Sequence, residues 1–125
     1  MKFIPTAEYT YWWPITVKRP HESRSGQWVT ETFEMLFVAV DQDEADRIAQ
    51  EIRALPTDAE RAAREHDQIV NASRDWRNVT DGAGNEVEFS LDMLVTMLKA
   101  APWYRTGIYR SYFRSLINEE VRKGN

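Results

Sequence analysis

The chain has 125 residues, a net charge of −4 and no cysteine. That size suits one domain with a core of its own, and it excludes disulfide scaffolding and thiol catalysis. The acidic balance argues against a general nucleic-acid binder, and the absence of a long apolar run argues against a membrane span.

Met1-Lys2-Phe3-Ile4-Pro5 carries no signal-peptide hydrophobic stretch, and the lack of cysteine allows a reducing compartment. Asn71-Ala72-Ser73 and Asn78-Val79-Thr80 match the glycosylation sequon and are read as chance matches without a secretion signal. Five each of Trp, Tyr and Phe are more than a minimal core requires, which leaves aromatics for a partner-facing surface.

From Tyr9 to Val17 the residues alternate. Tyr9, Tyr11, Trp13, Ile15 and Val17 share one side; Thr10, Trp12, Pro14, Thr16 and Lys18 share the other. Period two with aromatic and β-branched residues predicts a strand. Pro14 has no N–H for a ladder, which puts that strand at an edge or a bulge. Arg19 to Gly26 reads as a polar loop with a basic patch of Lys18, Arg19, His21 and Arg24.

Gln27 to Val40 is the second predicted strand, with Phe33, Met35, Phe37 and Ala39 on one face. Leu36, Val38 and Val40 lie on the other, so the half after Phe33 is the more buried part. The two strands are expected to pair antiparallel across the loop.

Asp41 or Asp43 caps a helix to about Leu55, with Glu44 completing a capping box and Pro56 as the stop. Its stripe is Ala45, Ile48, Ala49, Ile52 and Leu55. Thr57 and Glu60 form a second capping box, opening a weakly apolar helix to about Asp75. From Asp41 to Asp67 there are nine acids against four arginines; from Lys99 to Lys123, six bases against two acids. The plain reading is two solvated helix faces that attract each other. A sharper one is a head-to-tail contact between copies, which would make a homo-oligomer.

Trp76 to Leu98 is the most informative stretch. Val79 precedes a turn of Asp81-Gly82 and Gly84-Asn85, and Val87 and Phe89 follow it at period two, predicting a second short hairpin. Ser90 stands at a helix N-cap position, with Asp92 in the first turn and Leu91, Leu94, Val95 and Leu98 at helical spacing. Pro102 then opens a final helix from Trp103 to Lys123, in which Gly107 is a local weakness and Gly124 the end. The fold class is therefore α+β: an N-terminal hairpin or small sheet, about four helices and a second short hairpin. The whole chain, 1–125, forms a single domain that is β-rich over 1–40, helical over 41–75, and built from a hairpin and two helices over 76–123.

No catalytic set is present. His21 and His66 lack neighbours at metal-ligand spacing. The carboxylates of Asp41 to Asp46 lack the third alternating ligand and the glycine of a calcium loop, and helix capping explains them better. Gly82-Ala83-Gly84 has no following Lys-Ser/Thr, and no Gly-x-Ser-x-Gly elbow occurs. No metal, cofactor or enzymatic role is expected.

The final helix interleaves Trp103, Tyr104, Arg105, Tyr109, Arg110, Tyr112, Phe113 and Arg114. Aromatics with arginines can stack on single-stranded bases, and this supports a small nucleic-acid-binding regulatory protein as the alternative function. These residues surround the helix, however, so core packing with snorkelling arginines or a protein contact fits better. Trp12, Trp28, Arg105 and Tyr109 fall off the apolar stripes of their elements and are the candidate partner-binding residues. The competing reading is that they pad the core.

The order of these features resembles one family. It runs Trp13-Pro14-Ile15-Thr16-Val17, the loop with Pro20 and Gly26, Phe33-Glu34-Met35-Leu36-Phe37, and the acidic helix with Asp43-Glu44. Then come Trp76-Arg77-Asn78-Val79-Thr80-Asp81, Gly84, Val87-Glu88-Phe89-Ser90, Leu94, Pro102 and Tyr112. The chain is similar over most of its length to the tail assembly chaperones of long-tailed, siphovirus-type bacteriophages. The Trp-x-x-Val-x-Asp, Gly, Phe-Ser, Leu series carries most of that similarity. The resemblance implies a non-enzymatic protein of the bacterial host cytoplasm, encoded by a phage or prophage. It would coat the tape-measure protein, keep it soluble, and help recruit the major tail (tube) protein. This chain would correspond to the short form where a frameshift also makes a longer one.

Overall fold

A computed structural model describes residues 8–117 together with Met1 and Phe3. Seven elements follow in order: β1 (Thr10–Pro20), β2 (Trp28–Val38), α1 (Gln42–Ala54), α2 (Asp58–Ala72), β3 (Ser73–Arg77), α3 (Leu91–Ala100) and α4 (Pro102–Leu116). The fold is α+β: the strands form one antiparallel sheet in the order β1-β2-β3, accompanied by four helices. The expected end of the last helix, from Asn118 to Gly124, lies outside the described residues.

β1 and β2 pair along their whole length, from Thr10 opposite Val38 to Pro20 opposite Trp28. The loop between them is held by the His21 ring, whose Nδ1 accepts from the backbone N–H groups of Ser23 and Arg24 at 3.1 and 3.0 Å. Arg19 of the basic patch is paired with Glu22 and Glu31. β1 is an edge strand, as Pro14 requires. Alternation decides the faces: Ile15, Val17, Met35 and Phe37 are buried on one side, and no residue of the other side is buried.

Each helix begins on a side-chain cap or a proline. Asp41 accepts the Glu44 N–H at 2.8 Å, Thr57 that of Glu60 at 3.1 Å, and Ser90 that of Met93 at 3.0 Å. Each cap satisfies an amide that would otherwise be orphaned, worth roughly 1 kcal/mol. Pro102 occupies the first turn of α4, where its missing N–H costs nothing.

Three boundaries differ from expectation. β1 continues to Pro20, into the expected loop, and α4 ends at Leu116 with Ile117 extended. The second helix ends at Ala72 rather than near Asp75, and Ser73–Arg77 is the third strand of the sheet. Met35 lies opposite Trp76 and Glu34 opposite Arg77. Tertiary pairing overrides the local helical reading here: Trp76 gains the core, at 5 % exposure, only in an extended segment beside β2. Asn78 then turns the chain with φ 65°, a conformation that Asn tolerates.

The second hairpin is minimal. It has a single bridge, Thr80 to Glu86, with the Val87 N–H on the Val79 carbonyl and the Asp81 N–H on the Asn85 carbonyl, both at 2.8 Å. The Asp81 carboxylate accepts the N–H groups of Ala83 and Asn85, which holds it below the usual carboxylate range.

The core joins the inner sheet face to α2, α3 and α4 through Ile69, Ala72, Leu94, Leu98, Ile108 and Tyr112. The Phe37 and Tyr112 rings meet edge-on at 4.8 Å. Gln68, at 5 % exposure, brings polarity inside. It donates to the Tyr112 hydroxyl at 3.1 Å and accepts from Arg64 at 3.2 Å, and Arg64 in turn pairs with Glu51 of α1 at 2.9 Å. The buried Trp103 N–H has no hydrogen-bond partner among the described residues, and nothing in the structure explains it.

Candidate functional site

The series from Trp76 to Leu94 is architectural in every member. The Trp76 indole donates to the Val87 carbonyl at 2.7 Å, and its ring meets Phe89 edge-on at 5.3 Å. Val79 packs on the core, Asp81 and Gly84 make the turn (Gly84 at φ 84°), Ser90 caps α3, and Leu94 is fully buried. These residues hold α3 and the turn against the sheet, around a cleft of about 350 Å³ lined by Asp75 to Val79 and Glu86 to Phe89.

Two surfaces remain. The first is the outer face of the sheet, which carries Thr10, Trp12, Pro14, Thr16, Lys18 and Pro20 from β1, and Trp28, Thr30, Thr32, Glu34, Leu36 and Val38 from β2. Asp75 and Arg77 join it from β3. Trp12, Leu36 and Val38 form a half-buried apolar strip on this face. The Arg77 guanidinium lies 4.1 Å from the Trp12 ring centroid and makes two bonds to Glu34, at 3.2 and 3.0 Å. That pairing holds the Glu34 carboxyl below its ordinary value. A cation over a ring face is attracted by the ring quadrupole, which restrains the Trp12 side chain.

The second surface is a cleft of about 430 Å³ at the start of β1. Tyr9, Tyr11, Trp12 and Trp13 give it aromatic walls; Ala39 to Gln42, Ala45, Ser115 and Leu116 complete it. Asp41 is its only charged lining residue among the described residues. Tyr11 and Ser115 share a hydrogen bond of 2.7 Å at its wall, and burial pushes the Tyr11 hydroxyl up.

The four candidate residues divide between two layers. Trp12 and Trp28 both lie on the outer sheet face, near opposite ends of it. Trp28 is 66 % exposed. The two are separated by about 26 Å, taking eight strand residues at ~3.3 Å each. Arg105 and Tyr109 lie on α4 instead. Arg105 is paired with Glu65 of α2, both largely shielded. Burial pushes the Glu65 carboxyl up, and Arg105 opposes that shift. Tyr109 is half-buried, stacks near Phe113 at 6.3 Å, and its hydroxyl is pushed up to about 12 by burial and by the neighbouring Glu65 charge. The attraction between the acidic helices and the basic last helix thus operates within the chain. Of the other interleaved residues on α4, Tyr112 is fully buried, whereas Arg110 and Arg114 are exposed.

One further feature was not anticipated. Gly107, Ser111 and Ser115 form a stripe at spacing four along the side of α4 that meets β1. Ser111 accepts the Thr16 N–H on its hydroxyl at 3.1 Å and the Trp13 indole N–H on its carbonyl at 2.8 Å. A β-carbon at Gly107 would lie 2.7 Å from the Thr16 carbonyl oxygen and 3.0 Å from the Val17 Cα. Gly107 is therefore a docking position. The repeat of small residues at 107, 111 and 115 was the sequence signal for it.

Among the described residues no group of three or more His, Cys, Asp or Glu could hold a metal ion, and no helix is long and apolar enough to cross a membrane. No protein-family model, curated protein or solved structure matches the chain.

Proposed function

We propose that this chain is a phage tail assembly chaperone, a non-enzymatic protein that binds and solubilises a tape-measure protein and helps recruit tail-tube subunits in the host cytoplasm. One observation carries the reading: a sheet face on which no described residue is fully buried, with Trp12, Leu36, Val38 and Trp28 on it and Arg77 over the first tryptophan. A long helical client exposes apolar stripes, and a flat surface with aromatic anchors can cover them reversibly. Many weak copies along one rod add up through avidity. The order of sequence features described above supplies the family, and the absence of a catalytic set in the sequence agrees with a binding role.

Co-expression with the tape-measure protein of the same genome tests the proposal. The expected result is co-purification and a gain in that protein's soluble fraction, both lost when Trp12 and Trp28 are replaced by Ala together. A client that stays insoluble and never co-purifies would remove the chaperone reading.

A further inference from the structure

The outward edge of β1 is met by α4 at Thr16 and is open at its start. The Tyr9 carbonyl accepts the Ala39 N–H and the Gln27 carbonyl accepts the His21 N–H, both at 2.8 Å. With the register of the pair, these bonds set the odd-numbered residues of β1 toward β2 and the even-numbered ones outward. α4 takes the Thr16 N–H through Ser111 and packs Gly107 on the Thr16 carbonyl. Pro14 has no N–H to offer. Thr10, Trp12 and Lys18 keep outward N–H and C=O groups with no hydrogen-bonded partner among the described residues, and of these Thr10 and Trp12 lie at the cleft end of the strand. A short open edge of this kind is a template for an added strand.

The cleft beside that edge defines what the added strand should carry. Among the described residues its walls include Tyr9, Tyr11, Trp12 and Trp13, its one charge is the Asp41 carboxylate, and no Lys or Arg lines it. Aromatic faces with a carboxylate attract a cation and repel an acid. We propose that the Thr10–Trp12 edge binds an extended peptide segment of a partner protein by strand addition, with a Lys or Arg side chain of that segment entering the aromatic cleft toward Asp41. Main-chain bonds would supply affinity and the cleft would supply selectivity. Pro14 would end the added strand and fix its register. The inference shares Trp12 with the sheet face, but it is argued from the strand edge and the cleft and does not rest on the tape-measure reading.

The test uses the full chain and the probe acetyl-TVTKTVT-amide, with the central Lys replaced in turn by Glu and by norleucine. Backbone amide shifts in NMR report where it binds, and titration reports how tightly. The Lys peptide should shift the Thr10 and Trp12 amides and bind about tenfold more tightly than the Glu peptide. Asp41→Asn keeps a competent helix cap and should bring the three peptides within about twofold of one another. Thr10→Pro removes one outward N–H, as Pro14 does natively, and should abolish binding of all three. Should that variant fail to fold, N-methylation of alternate peptide amides removes the same ladder from the other side. Equal affinity of the Lys and Glu peptides, unchanged binding by Thr10→Pro or by the methylated peptide, or no shift at Thr10 and Trp12 would each overturn the inference. Failure of client co-purification would not affect it.

Discussion

Met35 and Leu36 are neighbours in β2, yet they belong to two different surfaces. Met35 is fully buried beside Trp76, whereas Leu36 lies between Trp12 and Asp75 on the side where no residue is buried. The inner face is committed to α2, α3 and α4, and its side chains are constrained by packing. The outer face is constrained only by neighbours within the sheet, such as Arg77 over Trp12. The lesson is that aromatic content alone does not tell stability from recognition in this chain; the side of the sheet does.

The contrast can be broken most directly at Phe37, which has no exposure and meets Tyr112 edge-on. Phe37→Ala should cost about 3–5 kcal/mol of stability by denaturant unfolding. A loss below about 1 kcal/mol would mean that the inner face is not the organising core. Gly107→Ala comes next. Alanine favours a helix by roughly 1 kcal/mol, but its methyl would strike the Thr16 carbonyl, so a net loss of about 1–3 kcal/mol is expected. A stabilised variant would show that α4 does not press on β1.

The comparison sharpens at Arg105 and Trp28, which the sequence grouped together. Arg105→Ala leaves Glu65 shielded without its partner and should lower stability by about 1 kcal/mol. Trp28→Ala should stay within about 0.5 kcal/mol, because Trp28 is 66 % exposed, while weakening client binding. Equal melting temperatures for the two variants would erase the distinction between the layers.

A pH titration probes the same division. Tyr109 has its hydroxyl raised from 10.0 to about 12, with burial as the leading cause. A raised value means that the folded state keeps a proton the unfolded chain would release. Stability should therefore be intact below about pH 10 and fall as the pH rises toward 12. Tyr11 and Tyr112, also raised by burial, act in the same direction. Tyrosinate absorbance followed with denaturant unfolding checks this, and stability that stays level across that window would contradict it.

Much of the fold was legible from local chemistry. Asp41, Thr57 and Ser90 act as caps that accept the N–H three residues on, and Pro14 and Pro102 declare an edge and a helix start by what they lack. The candidate surface was legible in part. Trp12 and Trp28 could be singled out because they fall off their apolar stripes, but so could Arg105 and Tyr109, and nothing local tells a tryptophan on an open sheet from an arginine facing another helix.

Those decisions depend on contacts far apart in the chain. Residues 73–77 became a strand because Trp76 meets Met35, and α4 took its place because Ser115 meets Tyr11 across 104 positions. The sequence by itself determined where the helices begin and which side of the first two strands is apolar, since each follows from bonds and periods a few residues long. Only the tertiary structure decided that one sheet face stays open, that Gly107 is a docking point, and that Arg105 is held by Glu65. Those facts depend on which segments share the same volume, and close packing allows one arrangement to exclude the others.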